Sequence, residues 1–282
     1  MDEASLTYEL TGIVGTVLKS RPSMGWEPGQ RVRLGDRRGN VTYIASICND
    51  EEVNKILPQI LLGNSHRFLK RLLKDAEAAV GDMVVIWREN SAWNNHYLMQ
   101  KYIHLLCGRL REYLDHREVI LLMDMAPCHM HPSVFALARR KGIRIVLIPA
   151  GLTGVLQPLD THVFRQFRAR MQHWWLESKS SASDGAVSLL AWLGLVRRSI
   201  DDIVLGKDWH HAFEHTGVLS GQVNMSSKSL KAFGWESPPC VGDGLPGLGQ
   251  AAAMFPRRSG ANVEAWVHWR PAPKYAPIQT LN

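Results

Sequence analysis

Residues 118–160, EVILLMDMAPCHMHPSVFALARRKGIRIVLIPAGLTGVLQPLD, constrain the fold more than any other stretch. The apolar run Val119–Met123 has the length of a buried strand and ends on Asp124. Pro127, His129 and His131 follow, then a short amphipathic helical pattern over Ser133–Arg140 and a second apolar run, Ile143–Ile148. Strand, helix, strand predicts a βαβ unit, hence two parallel strands in a sheet covered by helices. Chemistry in such sheets gathers at the carboxyl ends of the strands. Asp124 sits at one such end, and the connection Pro149–Pro158 delivers Asp160 towards the same edge. An aspartate ending a strand is also ordinary turn chemistry, and Asp160 alone could cap a helix. The pair carries the functional reading.

The flanking sequence supplies the rest of a mixed α/β sheet. Strand patterns fall at Thr7–Val17, Asn40–Cys48, Ile56–Leu62 and Met83–Trp87, with the second and third able to pair as an antiparallel hairpin. Lys19–Gly39 is basic, glycine-rich and irregular. Helical patterns cover Ser65–Ala79, a long segment capped by Asn94 or Asn95 and running to Leu114, Asp160–Lys179, Ala186–Val196 capped by Ser183 or Asp184, and Trp209–His215. In the long segment Leu98, Tyr102, Leu105, Leu106, Leu110 and Tyr113 recur at helical spacing and are assigned to packing; His96 and His104 read as ordinary helix residues. In the helix after Asp160, Phe164, Phe167, Met171 and Trp174 suit the core face. From about Ser237 the composition turns to Pro, Gly and Ala, so residues 221–282 read as a flexible tail behind a domain spanning 1–220.

Charge and cysteines narrow the function classes. A formal charge of +7 suits a polyanionic partner. The basic residues concentrate at Arg139, Arg140, Lys141 and Arg144 and again at Arg165, Arg168 and Arg170. Cys48, Cys107, Cys128 and Cys240 lie far apart without a CxxC pair, which argues against a zinc finger and a disulfide-built secreted domain. No signal peptide or membrane-spanning apolar stretch is present, so a soluble intracellular protein is expected, nuclear if eukaryotic. A GxxxxGK[ST] loop is also lacking, which argues against a nucleotide hydrolase.

Three strands, then helix, strand, helix, strand and a helix bearing an acid outline an RNase H-like fold. Such a fold needs a further acid on its first strand, and Asp2 is available. At this level the chain resembles the DDE-superfamily endonucleases, the catalytic domains of pogo, Tigger and jerky-like transposases in the Tc1/mariner group. The opening MDEAS resembles that family's Asp-Glu-Thr, LLMDMAPCH its second acidic segment, and LIPAGLTGVLQPLD its Leu-Pro loop and Gln-Pro-Leu-Asp. Weaker likeness through ENSAWNNHYLMQKYI and DWHHAFEHTGV extends it over about residues 1–220. Thirty-five residues separate Asp124 from Asp160, a spacing compatible with the group. Departures are Met125 in place of the usual Asn, Ala4 in place of Thr, and the altered loop before QPLD. The strand presenting Asp2 is expected to be truncated after one residue, with no helix-turn-helix region ahead of it, as in a fragment, a truncated gene copy or a core-only descendant.

The resemblance implies Asp2, Asp124 and Asp160 as catalytic, metal-holding acids, with Asp124 central. Carboxylates suit Mg²⁺ or Mn²⁺, and two ions about 4 Å apart could drive phosphodiester hydrolysis or strand transfer. His129 and Gln157 are supporting candidates, and Gln157 with the Leu-Pro loop should position the last acid. His131 reads as a surface or helix-start residue. Glu3 is an outer-shell candidate, though its neighbour position points it away if the segment is extended. Glu89 follows a different strand and lacks a route to the pair. DNA is the expected partner, held mainly through phosphates, and Trp174 or Trp175 could stack on a base while at least one packs in the core. A homodimer is left open; no membrane and no organic cofactor are expected. Two competing readings are a catalytically inactive, transposon-derived DNA-binding or scaffold protein and a nuclease acting on RNA or hybrids.

Overall fold

The computed structural model describes residues 1–7, 40–65, 68–148, 152–181, 187–218, 226–227 and 231. Its elements are β1 (Asp2–Thr7), β2 (Asn40–Ala45), α1 (Glu51–Ile56), β3 (Gln59–Asn64), α2 (Lys70–Val80), β4 (Val84–Glu89), α3 (His96–Arg109), α4 (Arg111–Leu114), β5 (Val119–Asp124), α5 (Pro132–Arg140), β6 (Ile143–Ile148), α6 (Thr153–Leu156), α7 (Phe164–Ser181), α8 (Leu189–Ser199) and α9 (His210–His215). Two π-helical turns, Leu159–Val163 and Ile200–Leu205, complete the set. The irregular connection expected at Lys19–Gly39, most of the strand expected at Thr7–Val17, and nearly all of the tail expected after residue 220 lie outside the described residues.

Four strands form one sheet in the order β1-β2-β3-β4, antiparallel except for the parallel β3–β4 pair. The predicted βαβ unit is present: β5 and β6 pair in parallel, with Asp124 opposite Ile148. The two sheets meet at Met1, whose amino nitrogen donates to the carbonyl oxygen of Leu122 at 2.9 Å. That contact sets the start of β1 beside β5. A cavity of about 750 Å³ lies alongside, lined by Met1, Ser46, Cys48, Val119 and Leu121 among others. The whole is a mixed, helix-flanked sheet, the RNase H-like arrangement.

Both faces of the larger sheet are covered, so its strands are apolar on both sides. Tyr43, Ala45 and Leu61 pack with Phe167, Trp192, Val196 and Trp209 on one face. The alternating neighbours Ile44, Ile60 and Leu62 pack with Leu98, Met99, Leu106 and Leu121 on the other. Each such fully buried side chain contributes roughly 1.5–3 kcal/mol relative to exposure. One polar network runs through this core. Gln59 Oε1 accepts from the Tyr43 hydroxyl at 2.7 Å and the Ser46 N–H at 3.2 Å, while Nε2 donates to the Ser46 carbonyl at 2.8 Å.

Local chemistry moves several boundaries. The β2–β3 connection is not a plain hairpin link, because Asp50 accepts from the N–H groups of Glu52 and Val53 and starts α1 there. Strand β3 therefore begins at Gln59, after Pro58. The long helix is capped by Asn95 and divides at Leu110 into α3 and α4. Helix α8 starts at Leu189, not Ala186, with Ser188 as its cap. Gly81 ends α2 at φ 66°, a conformation that favours glycine.

Candidate active site

The turn after β5 folds the chain back on Asp124. The Asp124 Oδ1 atom accepts the Ala126 N–H at 3.1 Å, and the Ala126 carbonyl accepts from the N–H groups of His129 and Met130. This tight turn buries the His129 ring and aims its two nitrogens at different acids. Nδ1 lies 2.6 Å from Asp124 Oδ1, and Nε2 lies 3.1 Å from Glu3 Oε1. Glu3 is steadied by Asn94, whose Nδ2 donates to the same oxygen at 2.6 Å. Strand alternation separates Glu3 from Asp2, and Glu3 reaches Asp124 only through the imidazole between them, the place of an outer-shell partner.

Burial of His129 disfavours its charged form, but hydrogen bonds with Asp124, Cys128 and Glu3 outweigh it and push its pKa up to about 12. Asp124 shows the reciprocal effect. Its burial acts upward, and the His129 hydrogen bond and charge with the Ala126 N–H bring it below the ordinary carboxylate value.

Asp160 stands in the π-helical turn Leu159–Val163, where the N–H of Phe164 bonds the carbonyl of Leu159 in place of the usual i−4 partner. Pro158 opens the turn, and Thr161 Oγ1 bonds back to the Gln157 carbonyl at 2.8 Å. Leu159 and Val163 are buried and pin the turn from one side, leaving Asp160 exposed on the other. Asp160 is not a helix cap, because Pro158 holds that position. Gln157 is buried and donates through Nε2 to the Met1 carbonyl at 3.4 Å, tying the start of this turn to the start of β1.

Asp2 is buried at the head of β1. Its pKa is pushed up to about 7, by burial first and the Asp160 charge second; the Glu3 N–H pulls it back and Asp124 adds to the rise. Asp160 is raised too, through partial burial, against the opposing charge of Arg168; Asp124 raises it further and a hydrogen bond from Asp2 lowers it. The Asp124 charge adds to the rise at both Asp2 and Asp160, so the three carboxylates share one electrostatic neighbourhood.

Other residues separate from this group. His131 caps α5, accepting the Ser133 N–H, and its ring stacks on His96 at 4.1 Å. Glu89 ends β4, at the edge of the sheet furthest from β1. On α7, Trp175 rather than Trp174 is the core residue; Trp174 is half-buried beneath the guanidinium of Arg198, 3.3 Å from its ring centroid. Arg165 and Arg168 are exposed. Glu3, Cys128 and His129 form a set the sequence reading did not assemble: one donor atom from each lies within 4.8 Å of the others, the one such cluster of metal-ligating types among the described residues. Its available signal was the adjacency of Cys128 and His129 just after an active-edge aspartate.

Residues 41–204, more than half of the chain, match the family described as DDE superfamily endonuclease. The chain belongs to this family. Asp124, His129, Gln157 and Asp160 fall inside the matched span, and Asp2 and Glu3 outside it. The chain has no significant match among curated proteins or solved structures. Membership of the DDE superfamily endonucleases implies DNA as the partner and places nuclease chemistry first among the activities to consider. Among the described residues no helix is long and apolar enough to cross a membrane.

Proposed function

We propose that the chain is the core of a metal-dependent DNA endonuclease of transposase type, with Asp2, Asp124 and Asp160 as the acids that hold Mg²⁺ or Mn²⁺. The observation that carries this reading is the placement of the three acids: Asp124 ends β5, and Gln157, three residues ahead of Asp160, bonds the carbonyl of Met1 directly ahead of Asp2. Acids whose pKa values are raised by neighbouring acids, as at Asp2 and Asp160, are a set whose charge a divalent cation would offset. Their all-oxygen donors match hard cations. When bound, such a cation supplies Lewis-acid stabilisation of a phosphodiester under attack by water or a DNA 3′-hydroxyl.

The protein's own groups divide the remaining work. Asp124 ends a paired strand and is held ionised by His129, so it is the fixed member. Asp160 is exposed and lies within the field of Arg168, which suits the side where a DNA phosphate arrives. Gln157 joins the backbone before Asp160 to that before Asp2, and so positions both. Arg165 and Arg168 supply phosphate contacts that do not read bases.

The test is cleavage of supercoiled DNA in Mg²⁺ or Mn²⁺ by the parent and by the Asp124→Asn and Asp160→Asn variants. Nicking by the parent, lost in both variants, is expected. A folded parent that leaves DNA intact with either ion, or variants that cut as well as the parent, would overturn the reading.

A further inference from the structure

We propose that Glu3, Cys128 and His129 form a second metal site, selective for a borderline-soft transition cation such as Zn²⁺, which clamps β1 to the turn after β5. The donor set differs in kind from the three aspartates. It combines a thiol, an imidazole and a carboxylate, with one ligand atom of each inside a 4.8 Å span. Thiolate and imidazole suit Zn²⁺ and are poor donors for Mg²⁺.

The geometry is already close to what such an ion needs. With bonds of about 2.0–2.1 Å to nitrogen and oxygen, tetrahedral ligands stand roughly 3.3 Å apart. His129 Nε2 and Glu3 Oε1 are 3.1 Å apart. His129 is also held in the orientation that metal-bound imidazoles adopt: Nδ1 is engaged by Asp124, so Nε2 is the nitrogen presented to Glu3. Asn94 holds the same Glu3 oxygen at 2.6 Å. The ring is buried, whereas Glu3 and Cys128 are half-buried, so an ion can enter from the side of these two ligands. Binding replaces the proton on His129 Nε2 and the thiol proton of Cys128, both released to solvent, and leaves the Nδ1–H donated to Asp124.

The position explains the clamp. Strand β1 and strand β5 belong to separate sheets and meet through the Met1–Leu122 hydrogen bond. Glu3 lies on β1, and Cys128 and His129 lie in the turn leaving β5. An ion held by all three ties the two sheets together beside that junction.

The test uses Co²⁺ as the spectroscopic stand-in for Zn²⁺, added to the chelator-treated full chain. Tetrahedral visible bands with a thiolate-to-Co²⁺ charge-transfer band are expected, bleached by one equivalent of Zn²⁺, together with a rise in Tm on adding Zn²⁺. Cys128→Ser should abolish the charge-transfer band, Glu3→Gln should weaken binding, and Asp160→Asn should leave both signals in place. Loss of the band in Asp160→Asn, its survival in folded Cys128→Ser (a thiolate from Cys48, Cys107 or Cys240), or its absence from the parent would each overturn the proposal. The proposal is independent of the three-aspartate reading, and Asp160→Asn separates the two, since it removes DNA cleavage and spares the Co²⁺ spectrum.

Discussion

The imidazole of His129 lies 2.6 Å from the carboxylate of Asp124, and the pair is buried on the histidine side. This contact sets the protonation of both groups. Its pH dependence follows from the His129 pKa, raised from 6.5 to about 12. A raised cationic pKa contributes stability that is full below the unfolded value and fades as pH climbs towards the folded one. The destabilisation caused by His129→Ala should therefore be largest near pH 6 and shrink steadily between pH 7 and pH 10. Urea unfolding at several pH values measures this, and a penalty that grows with pH contradicts it. The Asp124 contribution has the opposite sense, present above the unfolded carboxylate value and lost as pH falls below it.

Asp2 runs opposite to Asp124 and in the same sense as His129. Its pKa rises from 3.8 to about 7 on folding, so the folded state binds more protons than the unfolded state across that interval. Stability from this group falls as pH increases from about 4 to 7 and then levels off. Metal-free Asp2→Asn should accordingly be more stable than the parent at pH 8 and nearly equal to it at pH 4. Added Mg²⁺ or Mn²⁺ should raise the parent's Tm at pH 8 and raise that of Asp2→Asn much less. Thermal scans with and without chelator check both statements.

What the sequence made legible was the part fixed by local pattern. The apolar runs before Asp124 and Pro149 placed β5 and β6, and Gly81, Asn95 and Gly217 marked real helix ends. The Asp50 cap was equally local, yet it was hidden in the long link between the two apolar runs that pair antiparallel as β2 and β3. The π-helical turn that displays Asp160 was not legible, because it depends on the burial of Leu159 and Val163 against distant strands and helices. The contact between Glu3 and His129 was not legible for a similar reason. Strand alternation describes where a side chain leaves the backbone, and a ring arriving from residue 129 is a tertiary fact.

Gln59 supplies a stability prediction that does not involve the site. Its amide satisfies the Tyr43 hydroxyl and both backbone groups of Ser46 inside the core. Gln59→Leu keeps the volume and leaves these three groups without their partner. Each buried polar group left unpaired costs about 1–3 kcal/mol. A loss of roughly 3 kcal/mol or more in chemical denaturation is expected, and Tyr43→Phe in the same background should recover part of it. A neutral Gln59→Leu would show that this network does not hold the end of β2.

Gly63 faces a steric demand of a different kind. A Cβ built there meets the ring of Phe68, which is buried against β3. The Phe68 N–H bonds the Asn64 carbonyl at the end of β3, so the ring cannot swing clear without leaving the core. Gly63→Ala should destabilise by about 1–3 kcal/mol, the usual range for an added methyl in a packed interior. Phe68→Leu should make the same alanine markedly less costly, and the double-mutant cycle reads that coupling. Additive costs would mean that the two residues do not compete for space.

Arg168 links the electrostatics of the acids to DNA. It is exposed on α7, two turns beyond Asp160, and its charge draws the Asp160 pKa down against the upward pull of burial and of Asp124. Arg168→Ala removes both effects. Asp160 should then titrate at higher pH, moving the acidic limb of any cleavage profile upward. DNA affinity should fall, and the slope of log K against log salt should lose about one phosphate's share, roughly 0.9. Arg168→Lys should restore most of the salt dependence because a point charge suffices for a phosphate. Because Arg168 contacts no base in this reading, the loss should be equal for unrelated DNA sequences. Fluorescence anisotropy across a salt series decides the matter, and an unchanged slope with unchanged affinity would place the DNA path elsewhere on the surface.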